Sequence, residues 1–472
     1  MAVTTSPSTA SESSAPTWET PSASALTWLL AGVVFLAVGA ALLLLVSMQS
    51  VAADVFTVGA ATSVGRLRPA AYLLVVYGGL AMLGNGAAID VARRLAKAPV
   101  ALENLSKAAG AITTLGVVGS VLAVLLGHGN GRAGFEMPRP FAVLLALGQL
   151  LVLGVVLRTL SRRAHDDVHP ALWFVVAALF CAPFVILAGA LPRVHGVNDE
   201  IVLAFGLSGL KTLWLVPLAL GVALYAIPLS ARAPLHSRQL ALAAFWGWFL
   251  FAPFAGPVRL LGGPSQDWLE TVGIAATIAL AVPVLAYAVL VATTYARRTS
   301  LAHGADLRYG LAATGLLVAW ALLGATAASR TAGDFLQSSV FADGLAELAL
   351  VGVAACGVLA GVFHVLPAVS GNRVTNPRLA AGAVWPIALG ALVVALSLLA
   401  AGYVQGVLLA QGVRDGADLA TGAGWARITD AIRPLLWLRV AGEALVALGL
   451  VTAFQQVFST STAGDPLAPQ ES

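Results

Sequence analysis

The sequence predicts an all-α integral membrane protein, a bundle of 12 transmembrane helices. Three observations carry that prediction. Of the 472 residues 59% are hydrophobic and 10% are charged, where a soluble domain has roughly 45–50% and about 25%. Mean hydropathy is +0.89. The apolar residues gather in runs long enough to cross a bilayer, which takes about 20 residues each. These runs are too long and too uniformly apolar for barrel strands, and a helix satisfies its own backbone groups in lipid.

The elements follow in order. Residues 1–23 are rich in Ser, Thr and Pro and hold no Lys or Arg. A signal peptide needs a basic start, so this stretch predicts a disordered tail. Spans then fall near 25–48, 69–89, 106–127, 140–160, 170–191, 201–230, 238–262, 268–296, 308–328, 341–368, 380–411 and 433–457. Together they make one transmembrane domain over 24–458, and residues 459–472 read as a second disordered tail. An even number of spans puts both tails on one side. With the tails in the cytoplasm, the inner loops hold 14 Lys and Arg against 10 outside, so the positive-inside rule favours that orientation.

Composition also excludes classes. A net charge of +4 does not argue for nucleic acid as a partner. Two cysteines, Cys181 and Cys356, both in apolar runs, make no disulfide framework and no zinc site. No phosphate-binding loop, nucleophile elbow or HExxH helix is present. Forty-eight glycines suit close helix packing, and Gly357/Gly361 and Gly402/Gly406 are GxxxG pairs within spans.

Charges at membrane depth each need an account. Lys211 lies in span 6, Arg259 near the end of span 7, Glu347 in span 10, and Arg439 and Glu443 in span 12. Arg439 and Glu443 stand four apart on one helix face, as a structural salt bridge would. Lys211 and Glu347 have no partner within their own spans, so they face the bundle interior, water or each other, with a mutual pair favoured over Glu347–Arg259. Of seven histidines only His364 falls in a span. His165 and His169 could share a helical face with Asp166 or Asp167, a metal half-site by spacing, but they sit in a charged loop.

Several segments resemble subunit I of the haem–copper oxidases, in the C-type (cbb-type) and nitric-oxide reductase branch. Gly65-Arg-Leu-Arg-Pro69 opens span 2 as GRLRP does there. After span 6 come Pro228, Pro234-Leu-His-Ser237, Leu240 and Phe245-Trp246, similar to RPxYSxRL…HFW. Ala255-Gly256-Pro257, Asp267-Trp268 and Gly273 resemble AGPHH…PDW…LG. Phe363-His364-Val-Leu-Pro367…Gly371, Ala401-Gly402-Tyr-Val-Gln405-Gly406 and Pro434…Arg439-Val-Ala-Gly442 resemble YHLIP…G, NGxxQG and PxxVVRxxGG. Six pieces stand in the family's order across 65–457, and the stretch between spans 3 and 5 carries none.

The resemblance implies haem and copper cofactors and a terminal oxidase or nitric-oxide reductase activity. The departures from it point elsewhere. The family's low-spin haem is held by a span-2 and a span-10 histidine, its second haem by the other histidine of span 10, and its copper by one histidine of span 6 and a pair in span 7. The corresponding positions here are Ala71 in span 2, about Ser208 in span 6, Val258 and Arg259 in span 7, and Leu345 and Glu347 in span 10. The family's span-7 tyrosine aligns with Ala252. Without imidazole, haem iron and copper would meet poor ligands. The expectation is therefore a protein with no haem and no copper. It would be a non-catalytic partner, scaffold or regulator of other integral membrane subunits in a bacterial-type plasma membrane. Two alternatives stay open: a working haem-binding subunit I, and a proton or small-solute path through the vacated core.

Overall fold

A computed structural model describes residues 21–190, 195–299, 304–414 and 422–466. Most of both tails, residues 1–20 and 467–472, lies outside them. Twelve helices are long and apolar enough to cross a membrane among the described residues. They are Ala23–Gln49, Val64–Ala96, Glu103–Leu125, Arg139–Leu160, Pro170–Ala190, Val197–Ala231, Arg238–Leu260, Asp267–Ala296, Ala305–Ala327, Phe341–Ser370, Pro377–Gly412 and Gly424–Ala463. These are spans 1 to 12, in the order the sequence predicts. No strand occurs among the described residues, only an isolated bridge between Asn372 and Pro466.

Three spans form the centre. Spans 2 and 10 bury 94% of their apolar stretch and span 6 buries 83%, against 33–56% for the other nine. Glycine lets them close on each other. A Cβ on Gly357 would stand 2.9 Å from the Cβ of Ala219, and one on Gly361 would stand 2.8 Å from that of Val222, so span 10 lies backbone to backbone on span 6. Gly84 of span 2 meets Leu218 in the same way.

Each central span also carries a π-helical turn, at Leu74–Leu80, Leu210–Leu215 and Leu348–Ala354. Such turns are rare and gather at functional sites. In span 6 the turn has a visible consequence. The Val216 N–H donates to the Lys211 carbonyl, one residue beyond the α-helical partner, and Pro217 has no N–H to give. The Thr212 carbonyl would be orphaned; instead it accepts from the Trp248 indole of span 7 at 2.6 Å.

Span 7 is helical only to Phe251. Pro253 and Pro257 break it into short 3₁₀ turns over Ala252–Phe254 and Gly256–Leu260. A Cβ on Gly256 would come within 3.0 Å of the Phe205 backbone, so the turn presses on span 6 and delivers Val258 and Arg259 to the centre.

Span 12 departs from the expected boundary. It continues through Ala463, and residues 459–466, read from sequence as part of a tail, are structured. The Thr460 carbonyl accepts from Asn372 Nδ2 at 2.9 Å, and the Asp465 carbonyl accepts from the Arg373 N–H at 2.8 Å. Polar Ser, Thr and Asp there serve as partners for the loop after span 10, which composition alone cannot reveal. At the other terminus Ser22, within the predicted tail, caps span 1 and hydrogen-bonds Glu103.

Candidate functional site

The central spans converge on two adjoining cavities. The smaller, about 80 Å³, is lined by Ser208, Lys211, Thr212, Val258, Arg259, Thr277, Gln337 and Leu345 among others. The larger, about 500 Å³, is lined by Arg68, Tyr72, Glu136, Lys211, Arg259, Asp343, Glu347 and Arg439 among others. Lys211 and Arg259 belong to both and mark the junction. Both cavities lie at the end of the bundle that carries the loop between spans 3 and 4, opposite the side of span 1's first residue.

The structure thus brings together most of the residues singled out in the sequence. Ser208, Val258, Arg259 and Leu345 share the small cavity, and Glu347 faces the larger one. Ala71 is fully buried in span 2 and is not among the residues lining either cavity. Cys181 and Cys356 are both free thiols, in separate spans.

The charge pairing differs from the sequence expectation. No ion pair within 4.0 Å joins Glu347 to Lys211 among the described residues; the cations that act on Glu347 are Arg439 and then Arg68. Lys211 instead feels Arg259 and Asp343. Both side chains line the larger cavity, Lys211 from the π-helical turn of span 6 and Glu347 from the residue before that of span 10, and they stand across it without meeting within 4.0 Å. Arg439 Nη2 stands 3.7 Å from Glu443 Oε1, with the carboxylate 2% exposed. At the rim Arg68 donates to Asp343 Oδ2 at 2.9 Å.

Four lining residues were not singled out from sequence: Arg68, Tyr72, Glu136 and Asp343. Asp343 and Glu347 are four apart in span 10, and Arg68 belongs to the GRLRP segment, so a search for facing charges could have found Arg68 and Asp343. Glu136 could not be found that way, because it comes from a loop. Residues 126–138 fold into the bundle: Phe135 is fully buried against Gly189 and Gly206, and the Gly134 carbonyl accepts from Tyr77 Oη at 2.9 Å. Arg132 anchors the loop to Asp199 at 2.7 Å. Burial pushes the Glu136 carboxyl above its ordinary range, against the pull of backbone N–H groups and Arg68.

His165 and His169 do not share a helical face, because residues 163–169 form no helix. His169 Nδ1 accepts from the Ala171 N–H at 3.2 Å and so caps span 5. Burial, with Arg238 adding to it, lowers that imidazole to about 4. At the same end of the bundle, opposite the cavities, His364 Nδ1 stands 2.9 Å from Asp306 Oδ2, and Ser230 also donates to that carboxylate.

The family described as "Cytochrome C and Quinol oxidase polypeptide I" matches residues 23–445. The chain belongs to the haem–copper oxidase subunit I family. It is 24% identical over 179 residues to cytochrome c oxidase subunit 1 of Rhodobacter capsulatus, a match covering 35% of this chain and 34% of that protein. It is 21% identical over 174 residues to the cbb3-type cytochrome c oxidase subunit CcoN1 of Stutzerimonas stutzeri, covering 35% and 37%. The matched stretch thus spans about a third of each relative. A cryo-electron microscopy structure of a haem–copper terminal oxidase dimer shares the fold at a TM-score of 0.75 and 15% identity, covering 94% of this chain and 84% of that one. The fold expected from the sequence, a multi-span subunit I bundle, is the fold observed.

Proposed function

We propose that this subunit I homologue holds neither haem nor copper and serves as a non-catalytic partner, scaffold or regulator of other integral membrane subunits. The observation that carries the reading is the content of the small cavity. The positions that by resemblance hold the copper histidines, Ser208, Val258 and Arg259, do converge on one cavity with Leu345, and none offers an imidazole. Two cations, Lys211 and Arg259, project into it. A metal cation there would be repelled by both and would find a hydroxyl as its best ligand, which fits neither haem iron nor copper. Spans 2, 6 and 7 contain no histidine, so a shifted register supplies none. The chemistry of oxygen or nitric-oxide reduction therefore has no support in these residues.

The residues kept are those that build a membrane bundle. The outer spans expose Trp173, Phe180, Phe184, Trp246 and Trp437, apolar surface suited to lipid and to neighbouring subunits. The loop charges support a bacterial-type plasma membrane topology with both tails cytoplasmic, so the cavities face the outer side.

Haem extraction and a pyridine haemochrome spectrum of the purified protein test the reading: no haem is expected, and a stoichiometric haem overturns it. A second reading, a proton or small-solute path, draws on the charged lining of the larger cavity. Proton flux in liposomes that falls in Glu347→Gln would favour it.

A further inference from the structure

The small cavity is lined by charge of one sign. Lys211 and Arg259 line it, and no Asp or Glu does, among the described residues. Neither cation makes a hydrogen bond or an ion pair within 4.0 Å to another described residue, and the two repel each other. Three carboxylates line the adjoining larger cavity, Glu136, Asp343 and Glu347, and none makes an ion pair within 4.0 Å to either cation. Asp343, which also acts on Lys211, is held by Arg68 at 2.9 Å; Arg439, which pairs with Glu443, is the cation acting most on Glu347; and Glu136 keeps one buried carboxylate oxygen without a partner among the described residues. Two cations beside each other without a direct partner, in a cavity whose own lining holds no carboxylate, favour a small anion there.

The remaining lining is suited to supply the rest of its shell. The Ser208 hydroxyl and the Gln337 side-chain amide make no hydrogen bond to a described residue, and both line the cavity. Thr212 and Thr277 donate to carbonyls of their own spans and leave oxygen lone pairs only. The free donors are therefore an ammonium, a guanidinium, a hydroxyl and an amide. About 80 Å³ gives room for a few waters or for an anion of three or four heavy atoms. A guanidinium fork matches two oxygens in a plane better than it matches a spherical ion.

We propose that the small cavity is a binding site for a small planar oxyanion, of the carboxylate or nitrate type, held between Lys211 and Arg259 with Ser208 and Gln337 completing the shell. An anion would thus occupy the place where the resemblance puts a metal cation. The inference rests on the metal-free reading above.

The test uses the full chain purified in nanodiscs at constant ionic strength. Acetate and nitrate are titrated by calorimetry and by thermal unfolding, with chloride and sulfate as comparison anions. Saturable binding of acetate or nitrate is expected, with a dissociation constant on the order of millimolar. It should weaken by about tenfold or more in Lys211→Met and in Arg259→Gln. Arg330→Gln, which removes an exposed arginine outside the cavity, should bind as the wild type does. Should Arg259→Gln fail to fold, Arg259→Lys keeps the charge without the fork and should still lose affinity for acetate. The proposal is overturned by absence of saturable binding in metal-free protein, by an equal response in wild type and both cavity variants, or by chloride binding as tightly as acetate. Metal found in the purified protein would instead overturn the metal-free reading, so the two failures are distinguishable.

Discussion

Single side chains in this protein do work that only the structure explains. Trp248 supplies the hydrogen bond that Pro217 withholds from the Thr212 carbonyl. Trp248→Phe should lower stability by about 1–3 kcal/mol, since it strands a buried carbonyl. The loss should shrink in a Pro217→Ala background, where the backbone regains a donor; thermal unfolding of the four proteins closes the cycle. His169 gives a pH dependence. Its folded imidazole titrates near about 4, below the unfolded value of about 6.5. The folded state binds fewer protons, so this contribution is full above about 6.5 and is lost as pH falls toward 4. Melting between pH 7 and 5 should fall more steeply in the wild type than in His169→Asn, which retains an acceptor for the Ala171 N–H. Glu347 makes the sharpest contrast between sequence and structure. Double-mutant cycles should show coupling of roughly 0.5–3 kcal/mol between Glu347→Leu and Arg439→Met, and none resolved with Lys211→Met. The reverse ranking would restore the Lys211 pairing.

At the scale of elements, the spans were legible and their rotations were not. Apolar run length placed all twelve helices, because a bilayer imposes that length whatever the helices pack against. The GxxxG spacing of Gly357 and Gly361 marked close packing, and the structure shows its target in span 6. Gly361→Val should destabilise by about 1–3 kcal/mol through overpacking against Val222, whereas Gly382→Ala, with open space around it, should not. That Lys211 and Glu347 both face the interior was legible; that a cavity of about 500 Å³ lies between the spans and leaves them without a direct pair was not, since a π-helical turn leaves no mark on hydropathy. The inserted loop 126–138 was invisible for a related reason. Its ordering comes from long-range partners, Tyr77, Asp199 and Gly189, rather than from local pattern.

At the scale of the whole molecule, family membership fixes the bundle, and the proposed lack of haem and copper rests on the residues of its cavity. The bundle is that of the subunit I family, and in it Ser208, Val258, Arg259 and Leu345 converge on one cavity. The cavity they form is lined with cations and hydroxyls. A fold of this kind hosts whatever chemistry its site residues allow, and function follows the site. Twelve spans among the described residues put the start of span 1 and the end of span 12 on one face, so accessibility labelling of single cysteines placed at Ser22 and Ser461 should give the same side for both, with the loop at Glu136 on the other. Elemental analysis together with an optical spectrum of the intact purified protein tests the central claim most directly. The account expects less than stoichiometric iron and copper and no haem absorption band. One haem per chain, lost on mutation of a span-borne histidine, would contradict it.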